Sequence, residues 1–214
     1  MTDVTSPTVV GIDRSLLYVA EFQHRINNDY TRVISFVSRL AALSSAPEAK
    51  KVLFEVIDQL HATSRVHRTL RPPLPGESVD FAAHVTDLCK VFSSAGLEQQ
   101  GIEVHLTVLG SATLEAMRSW RASLIIAELM TNSVRHAWST GGGRICVVVA
   151  TDGVDVVCKI GDDGKSLSLV TPGVGSQLVD ALADELEARL SRSYTKQGAT
   201  ITLCFPVKPE DRRH

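Results

Sequence analysis

His24 lies in the run Glu21-Phe22-Gln23-His24-Arg25-Ile26-Asn27-Asn28, out of phase with the apolar residues around it. At about 100° per residue it points about 160–180° away from Ile26 and Val33, toward water. A neutral imidazole held in the open on a rigid helix has a free lone pair near neutral pH. It is a competent nucleophile toward a phosphoryl group. Glu21, three residues earlier, and Asn28, four later, share its face. A carboxylate there can accept the ring's other proton and fix its tautomer, and an amide can orient a water or a phosphoryl oxygen. The same spacing also suits a solvated histidine on a polar face.

Two later segments carry a different chemistry. In Glu128-Leu129-Met130-Thr131-Asn132-Ser133-Val134-Arg135-His136-Ala137, residues 128, 132 and 135 recur at i, i+4 and i+7 and form a polar stripe on an otherwise apolar helix. Oxygens of Glu128 and Asn132 are hard ligands of the kind that hold Mg²⁺ beside phosphates, and Arg135 can meet a phosphate oxygen. Gly161-Asp162-Asp163-Gly164-Lys165-Ser166 follows an apolar strand pattern, and Gly173-Val174-Gly175 opens a helix pattern. A carboxylate at a strand end can accept from an exocyclic amine such as that of adenine. Glycines let a nucleotide approach the backbone, and a helix N-terminus attracts phosphate. Each segment alone has a plain reading as well, an amphipathic stripe or a common turn.

These residues need elements to position them. Arg71-Pro72-Pro73-Leu74-Pro75-Gly76 stops any helix and makes a short stiff connection, dividing the chain into a unit over residues 13–71 and another over 77–207. Ahead of it, Asp13 is expected to cap a helix reaching about Leu43, with Val19, Ile26, Tyr30, Val33, Val37 and Leu40 as its seam. Ser45-Ala46-Pro47-Glu48 reads as a capping box opening a second helix to about Leu70. So short a connection makes the helices antiparallel, and a second copy completing a four-helix bundle would bury what one hairpin leaves bare. After the prolines we read helix near 81–99, strand near 102–109 and helix near 117–138. Strands near 144–150 and 154–160 follow, then helix near 174–188 and strands near 189–194 and 199–206. Sequence-adjacent antiparallel strands with grouped helices predict an α+β layer. The segment 209–214 reads as a frayed charged tail.

The 214 residues are 44% hydrophobic and 21% charged, which excludes a disordered or fibrous chain. With 22 basic against 24 acidic residues there is no excess positive charge for a nucleic-acid groove. No apolar run approaches the ~20 residues that span a bilayer, and the N-terminus carries no secretion signal. Cys89, Cys146, Cys158 and Cys204 are scattered, without a C-x-x-C pair. A reducing cytoplasm is the expected home.

Taken in order, these motifs resemble the histidine-kinase core over about residues 15–207. His24-Arg25-Ile26-Asn27-Asn28 is similar to the phosphoacceptor box of the H-R-x-x-N subclass. Glu128 through Ala137 is similar to the N box, Asp162-Asp163-Gly164 to the D-x-G adenine box, and Gly173-Val174-Gly175 to the second glycine box. The resemblance implies an α+β protein: a dimerisation and histidine-phosphotransfer hairpin, then a Bergerat-type ATP-binding α/β sandwich. It implies that His24 accepts the phosphoryl group, Asn132 holds Mg²⁺ and Asp162 reads adenine. Glu128, Arg135 and His136 then fall on the nucleotide-binding helix, and Gly164, Gly173 and Gly175 flank the nucleotide. ATP and Mg²⁺ are the implied cofactors, and a response-regulator receiver domain and a second copy the implied partners, with no nucleic acid and no membrane. Three departures stand out: Ser166 replaces the second glycine of D-x-G-x-G, only Leu167 to Pro172 separate that box from Gly173, and the W-x-E motif is missing. No sensor region is expected ahead of the first helix. The expected activity is a protein-histidine kinase of two-component signalling. The alternatives are a histidine phosphotransferase relaying phosphate between receivers with a degenerate ATP domain, and a nucleotide-dependent regulator of sigma-factor type, against which His24 counts.

Overall fold

The computed structural model describes residues 14–73, 77–138, 142–164 and 173–212. The expected cap at Asp13, the residue Ser166 and the interval Leu167–Pro172 lie outside them.

Two long helices come first, α1 (Arg14–Leu43) and α2 (Pro47–Thr69), packed side by side. The capping box does not form. Pro47 has its φ fixed for the first helical position, so the cap falls on Ala46, whose side chain accepts nothing. Glu48 then sits one position too early to reach back, and Ser45 lies outside the helix. The apolar faces of both helices, the expected α1 seam included, are only partly covered. Ala41, Ile57 and Ala62 are buried, but Val33, Phe36 and Leu40 on α1 and Val52 and Val56 on α2 remain exposed. One hairpin has no further layer to bury them.

The second unit is a sheet with helices on one face. Strand β1 (Ser78–Asp80) pairs antiparallel with β3 (Thr113–Glu115) and brings two helix starts together. Asp80 caps α3 (Phe81–Phe92) by accepting from Ala83 N at 3.0 Å, and Glu115 caps α4 (Ala116–His136) by accepting from Arg118 N at 3.0 Å. Ser111 Oγ also donates to Asp80, and that bond, followed by Ala83 N, holds the Asp80 carboxyl below the usual carboxylate range. The helix expected over 81–99 stops at Phe92. A wide turn follows, in which Gly96 takes φ 95° against the Gln59 side chain, and a short 3-10 turn (Glu98–Gln100) ends it.

The main sheet has the order β2-β4-β5-β7-β6, formed by β2 (Ile102–Leu109), β4 (Gly143–Thr151), β5 (Asp155–Asp162), β6 (Arg189–Thr195) and β7 (Gly198–Pro206). Three of its pairings are antiparallel, among them the two expected between sequence-adjacent strands, β4 with β5 and β6 with β7. The fourth is not: β2 and β4 run parallel, because β3 and α4 intervene and the chain re-enters in the same direction. At the Asp152-Gly153 turn the Asp152 carboxylate accepts from Val154 N and Asp155 N, both at 2.9 Å. Alternation decides the faces. Ile145, Val147 and Val149, then Val156, Cys158 and Ile160, then Ile201, Leu203 and Phe205 all point to the helices. They meet Val85 and Leu88 of α3, Ile125, Ile126 and Met130 of α4, and Val179 and Leu182 of α5 (Val174–Glu185).

The end of the chain differs from expectation. Residues Pro209–Arg212 form a 3-10 turn instead of fraying, because Asp211 is drawn inside. Its fully buried carboxylate accepts from Glu115 N and Lys208 N, both at 2.7 Å, and from Arg118 Nε at 3.2 Å. Arg118 also donates to Pro206 O at 2.5 Å and lies 5.8 Å from the Phe205 ring centre. Removing one partner of such a pair strands the other charge in a low dielectric. Asp211→Ala is therefore expected to lower unfolding free energy by about 3–5 kcal/mol, read by urea denaturation. An exposed control, Glu210→Ala, should change it by less than about 0.5 kcal/mol.

Candidate functional site

On α1 the His24 side chain is exposed. Asn28, one turn on, places its Nδ2 3.3 Å from His24 Nδ1. Glu21 does not take the ring proton in this conformation. Its Oε1 accepts from Arg25 Nε at 2.9 Å, since a guanidinium one turn away offers a charge-assisted bond that a neutral ring does not. Next to His24, Gln23 turns the other way and donates from Nε2 to Leu70 O at 3.2 Å. The same carbonyl accepts Trp120 Nε1, from α4, at 2.9 Å. One acceptor at the proline junction thus ties the hairpin to the sheet unit.

The second part of the site is a cavity of about 290 Å³ between α4, α5 and the sheet. Asn132 and His136 line it from α4, Asp162 from the end of β5, and Ser176 from the first turn of α5. Asp162 is the most constrained of these. Its Oδ1 accepts from Gly164 N at 3.1 Å and Ala199 N at 3.3 Å, and its Oδ2 from Ser133 Oγ at 2.8 Å. The carboxylate is fixed at the cavity's edge as an acceptor. Gly164 is buried against the end of α4, and a Cβ there would come within 2.4 Å of the Ala137 Cβ and 2.2 Å of its carbonyl oxygen. Asp163 completes the clamp, accepting Trp138 Nε1 at 3.2 Å and Arg144 N at 2.8 Å.

The other expected residues fall around the cavity instead of in its lining. Half-buried Glu128 packs on Gly175 so closely that a Cβ on the glycine would lie 1.9 Å from Glu128 Oε1. Arg135 is exposed, on the outer side of α4. Gly173 supplies the N-terminal cap position of α5 in an extended conformation, and among the described residues no atom lies within 4 Å of where a Cβ would stand. Sequence reasoning missed Ser133, and it missed Arg192 and Tyr194, which line the cavity from β6. These two follow Leu190 at alternate positions, so the strand's inward face runs from core into cavity; the period-2 pattern was the available signal. Arg192 is held by an ion pair to Asp180 on α5. Among the described residues no lining residue comes from the hairpin, so His24 and the cavity are separate parts.

A single amide oxygen at Asn132 fits Mg²⁺, which keeps waters and binds through few protein oxygens beside substrate phosphates. Among the described residues no group of three or more His, Cys, Asp or Glu could hold a metal ion.

Residues 21–95 match the family model described as histidine kinase. The sensor histidine kinase PdtaS of Mycolicibacterium smegmatis is 25% identical over 215 residues, covering 94% of this chain and 42% of that protein. The chain therefore spans less than half the length of the curated relative it matches. Among solved structures, the histidine kinase domain of the Erythrobacter litoralis EL346 blue-light activated histidine kinase aligns with a TM-score of 0.60 at 15% identity, over 85% of this chain and 98% of that one. Acinetobacter baumannii histidine kinase AdeS aligns at 0.52 and 18% identity, over 92% and 100% of the two chains. Full-length ShkA in complex with AMPPNP aligns at 0.54 and 17%, over 89% and 46%. The helical hairpin followed by an α/β sheet domain is the arrangement of histidine kinase structures.

The two glycines differ in what they tolerate. Gly164→Ala must push apart the turn and the end of α4 and is expected to destabilise by about 1–3 kcal/mol, the range for overpacking. Gly173→Ala meets no atom of the described residues within 4 Å and should change stability by less than about 0.5 kcal/mol in the same denaturation assay.

Proposed function

On the histidine kinase core that these matches support, we propose that the chain is a protein-histidine kinase of two-component signalling. ATP binds the cavity beside Asp162, its γ-phosphoryl passes to His24, and a response-regulator aspartate receives it. The proposed working units are the hairpin over residues 13–71 and the nucleotide-binding unit over 77–207. What carries the reading is one juxtaposition: a solvent-exposed imidazole on a helical hairpin, joined through a stiff proline junction to a cavity whose edge holds a fixed carboxylate acceptor.

Each part has a physical role in that chemistry. Asp162 accepts the exocyclic amine of adenine. Asn132 offers its amide oxygen to Mg²⁺, which when bound neutralises charge on the phosphates. The first turn of α5, opening at Gly173 and Gly175, directs backbone N–H groups toward phosphate, with Glu128 seating it against α4. His136 supplies a hydrogen-bonding group at the cavity, and Arg135, on the outer side of the same helix, a positive charge near its end. At the hairpin, attack needs one ring nitrogen unprotonated. If Nε2 attacks, Nδ1 carries the proton, and the Asn28 amide, turned by 180°, accepts a hydrogen bond from that N–H through its oxygen. The Nε2 lone pair then forms the new N–P bond as the bond from the γ-phosphorus to the ADP oxygen breaks. The enzyme contributes positioning and charge stabilisation, so the essential motion is one that brings the cavity to the ring.

The bare seams of α1 and α2 support a homodimer in which two hairpins form a four-helix bundle. Among the described residues no helix is long and apolar enough to cross a membrane. A cytoplasmic setting, free of nucleic acid, fits the charge balance and the scattered cysteines.

Incubation with γ-labelled ATP and Mg²⁺ is expected to give acid-labile label on the wild type and none on His24→Ala. No label at saturating ATP would sink the kinase reading, and label arriving at His24 only from a phosphorylated receiver would mark a relay instead. In solution the chain should have twice its 23.2 kDa mass by light scattering. Phe36→Glu with Leu40→Glu should halve that mass, since paired carboxylates in a bundle core are left unpartnered.

A further inference from the structure

We propose that Ser133 is a positioning residue that aims the Asp162 carboxylate at the base and so sets the preference for an amino purine. The inference rests on the reading that the cavity takes ATP. It starts from an accounting of the carboxylate's hydrogen bonds. An ionised carboxylate has about four lone-pair directions. On Asp162, two on Oδ1 are taken by Gly164 N and Ala199 N, and one on Oδ2 by Ser133 Oγ at 2.8 Å. The direction left over is on Oδ2, the oxygen that Ser133 holds, and both residues line the cavity.

The two anchors do different work. The backbone donors on Oδ1 come from the turn after β5 and from β7 and fix where the carboxyl group sits. They also restrain its torsion, which is otherwise broad in an aspartate, but at 3.1 and 3.3 Å both bonds are long. Ser133 supplies the shortest of the three bonds, at 2.8 Å, and the restraint on Oδ2 itself. It is 6% exposed and lies on α4 directly after Asn132, so the packed helix sets the position of its hydroxyl. That hydroxyl has one proton and spends it on Oδ2, leaving nothing to donate to the base. A base bearing an amine therefore meets an oriented acceptor, whereas one bearing hydrogen there leaves the acceptor unmet, and one bearing a carbonyl sets lone pair against lone pair. The N-terminal neighbour of this serine faces the phosphates and metal in the proposed mechanism, while the serine itself governs the other end of the nucleotide.

The test is titration calorimetry of full-length protein with ATP and with purine riboside triphosphate, which lacks the amine. The affinity ratio is compared in wild type, Ser133→Ala, Ser133→Thr and Ser133→Val. Threonine and valine have the same shape and differ by the hydroxyl, so packing effects cancel between them. The wild type and Ser133→Thr are expected to favour ATP, and Ser133→Ala and Ser133→Val to lose about tenfold of that preference through weaker ATP binding. Thermal unfolding of each variant reports folding separately. Equal ratios for the threonine and valine variants would overturn the proposal, as would alanine weakening both nucleotides alike, which is the mark of a merely structural residue. A wild type that binds neither nucleotide would remove the ATP reading itself and this inference with it, whereas a wild type that binds ATP with an unchanged alanine ratio would remove only the inference.

Discussion

The packing of α4 onto the sheet is the constraint from which the rest follows. The helix is amphipathic in an unusual division of labour. Ile125, Ile126 and Met130 are fully buried on one side, while Asn132 and His136 face the cavity at the C-terminal end. Because the same rigid rod carries both sets, burial of the apolar side dictates where the polar groups stand. Its start is fixed as firmly, by the Glu115 cap and by Arg118, whose partner Asp211 comes from the far end of the chain. Core formation and site assembly are thus one event, and loss of either end of α4 reaches the cavity through a helix that does not bend easily.

The cavity's polar edge is made in the same way. Asp162 and Asp163 leave the end of β5 in opposite roles. One is aimed inward by a serine and two backbone amides, and the other binds the Trp138 indole and the Arg144 amide at the seam between α4 and β4. The glycine after them is the residue that lets this turn lie flat on Ala137. Such a turn spends its side chains on holding itself in place, and only one acceptor direction is left to meet a ligand.

Much of this was legible in the sequence, and the reasons for the gaps are specific. Strong periodicity located every long helix and main-sheet strand, and the Asp152-Gly153 turn was readable from the φ > 0 requirement that glycine meets. The three-residue strands β1 and β3 were not, because a segment so short has no period to detect. Gly96 broke a helix whose apolar pattern continued past it, a tertiary choice made by Gln59 reaching in from α2. The parallel pairing of β2 and β4 depends on a crossover and not on the strands themselves. Asp211 looked like a tail residue because the pull on it comes from Arg118, 93 positions away. At the site, the residue types with intrinsic chemistry, His24, Asn132 and Asp162, were visible. Ser133, Arg192 and Tyr194 are ordinary residues in sequence and acquire meaning only from what folding sets opposite them.

The Leu70 carbonyl is one of the places where the two units can part company. It receives Gln23 and Trp120 together, but those donors belong to different bodies: the first returns from α1 to the end of its own hairpin, the second crosses from α4. A swing about Arg71 and Pro72 that carried the sheet unit away would stretch the indole bond and leave the amide bond intact. It would also give up the Gln59 bond to Ala95 O and the packing of α2 on α3 and on the turn after it, so the indole bond, a neutral one of about 1 kcal/mol, is one tether among several. The Gln23 bond stays within the hairpin, so the bonds that part in such a swing, those of Trp120 and Gln59, are made at the end and along the flank of α2 and spare the one next to the imidazole.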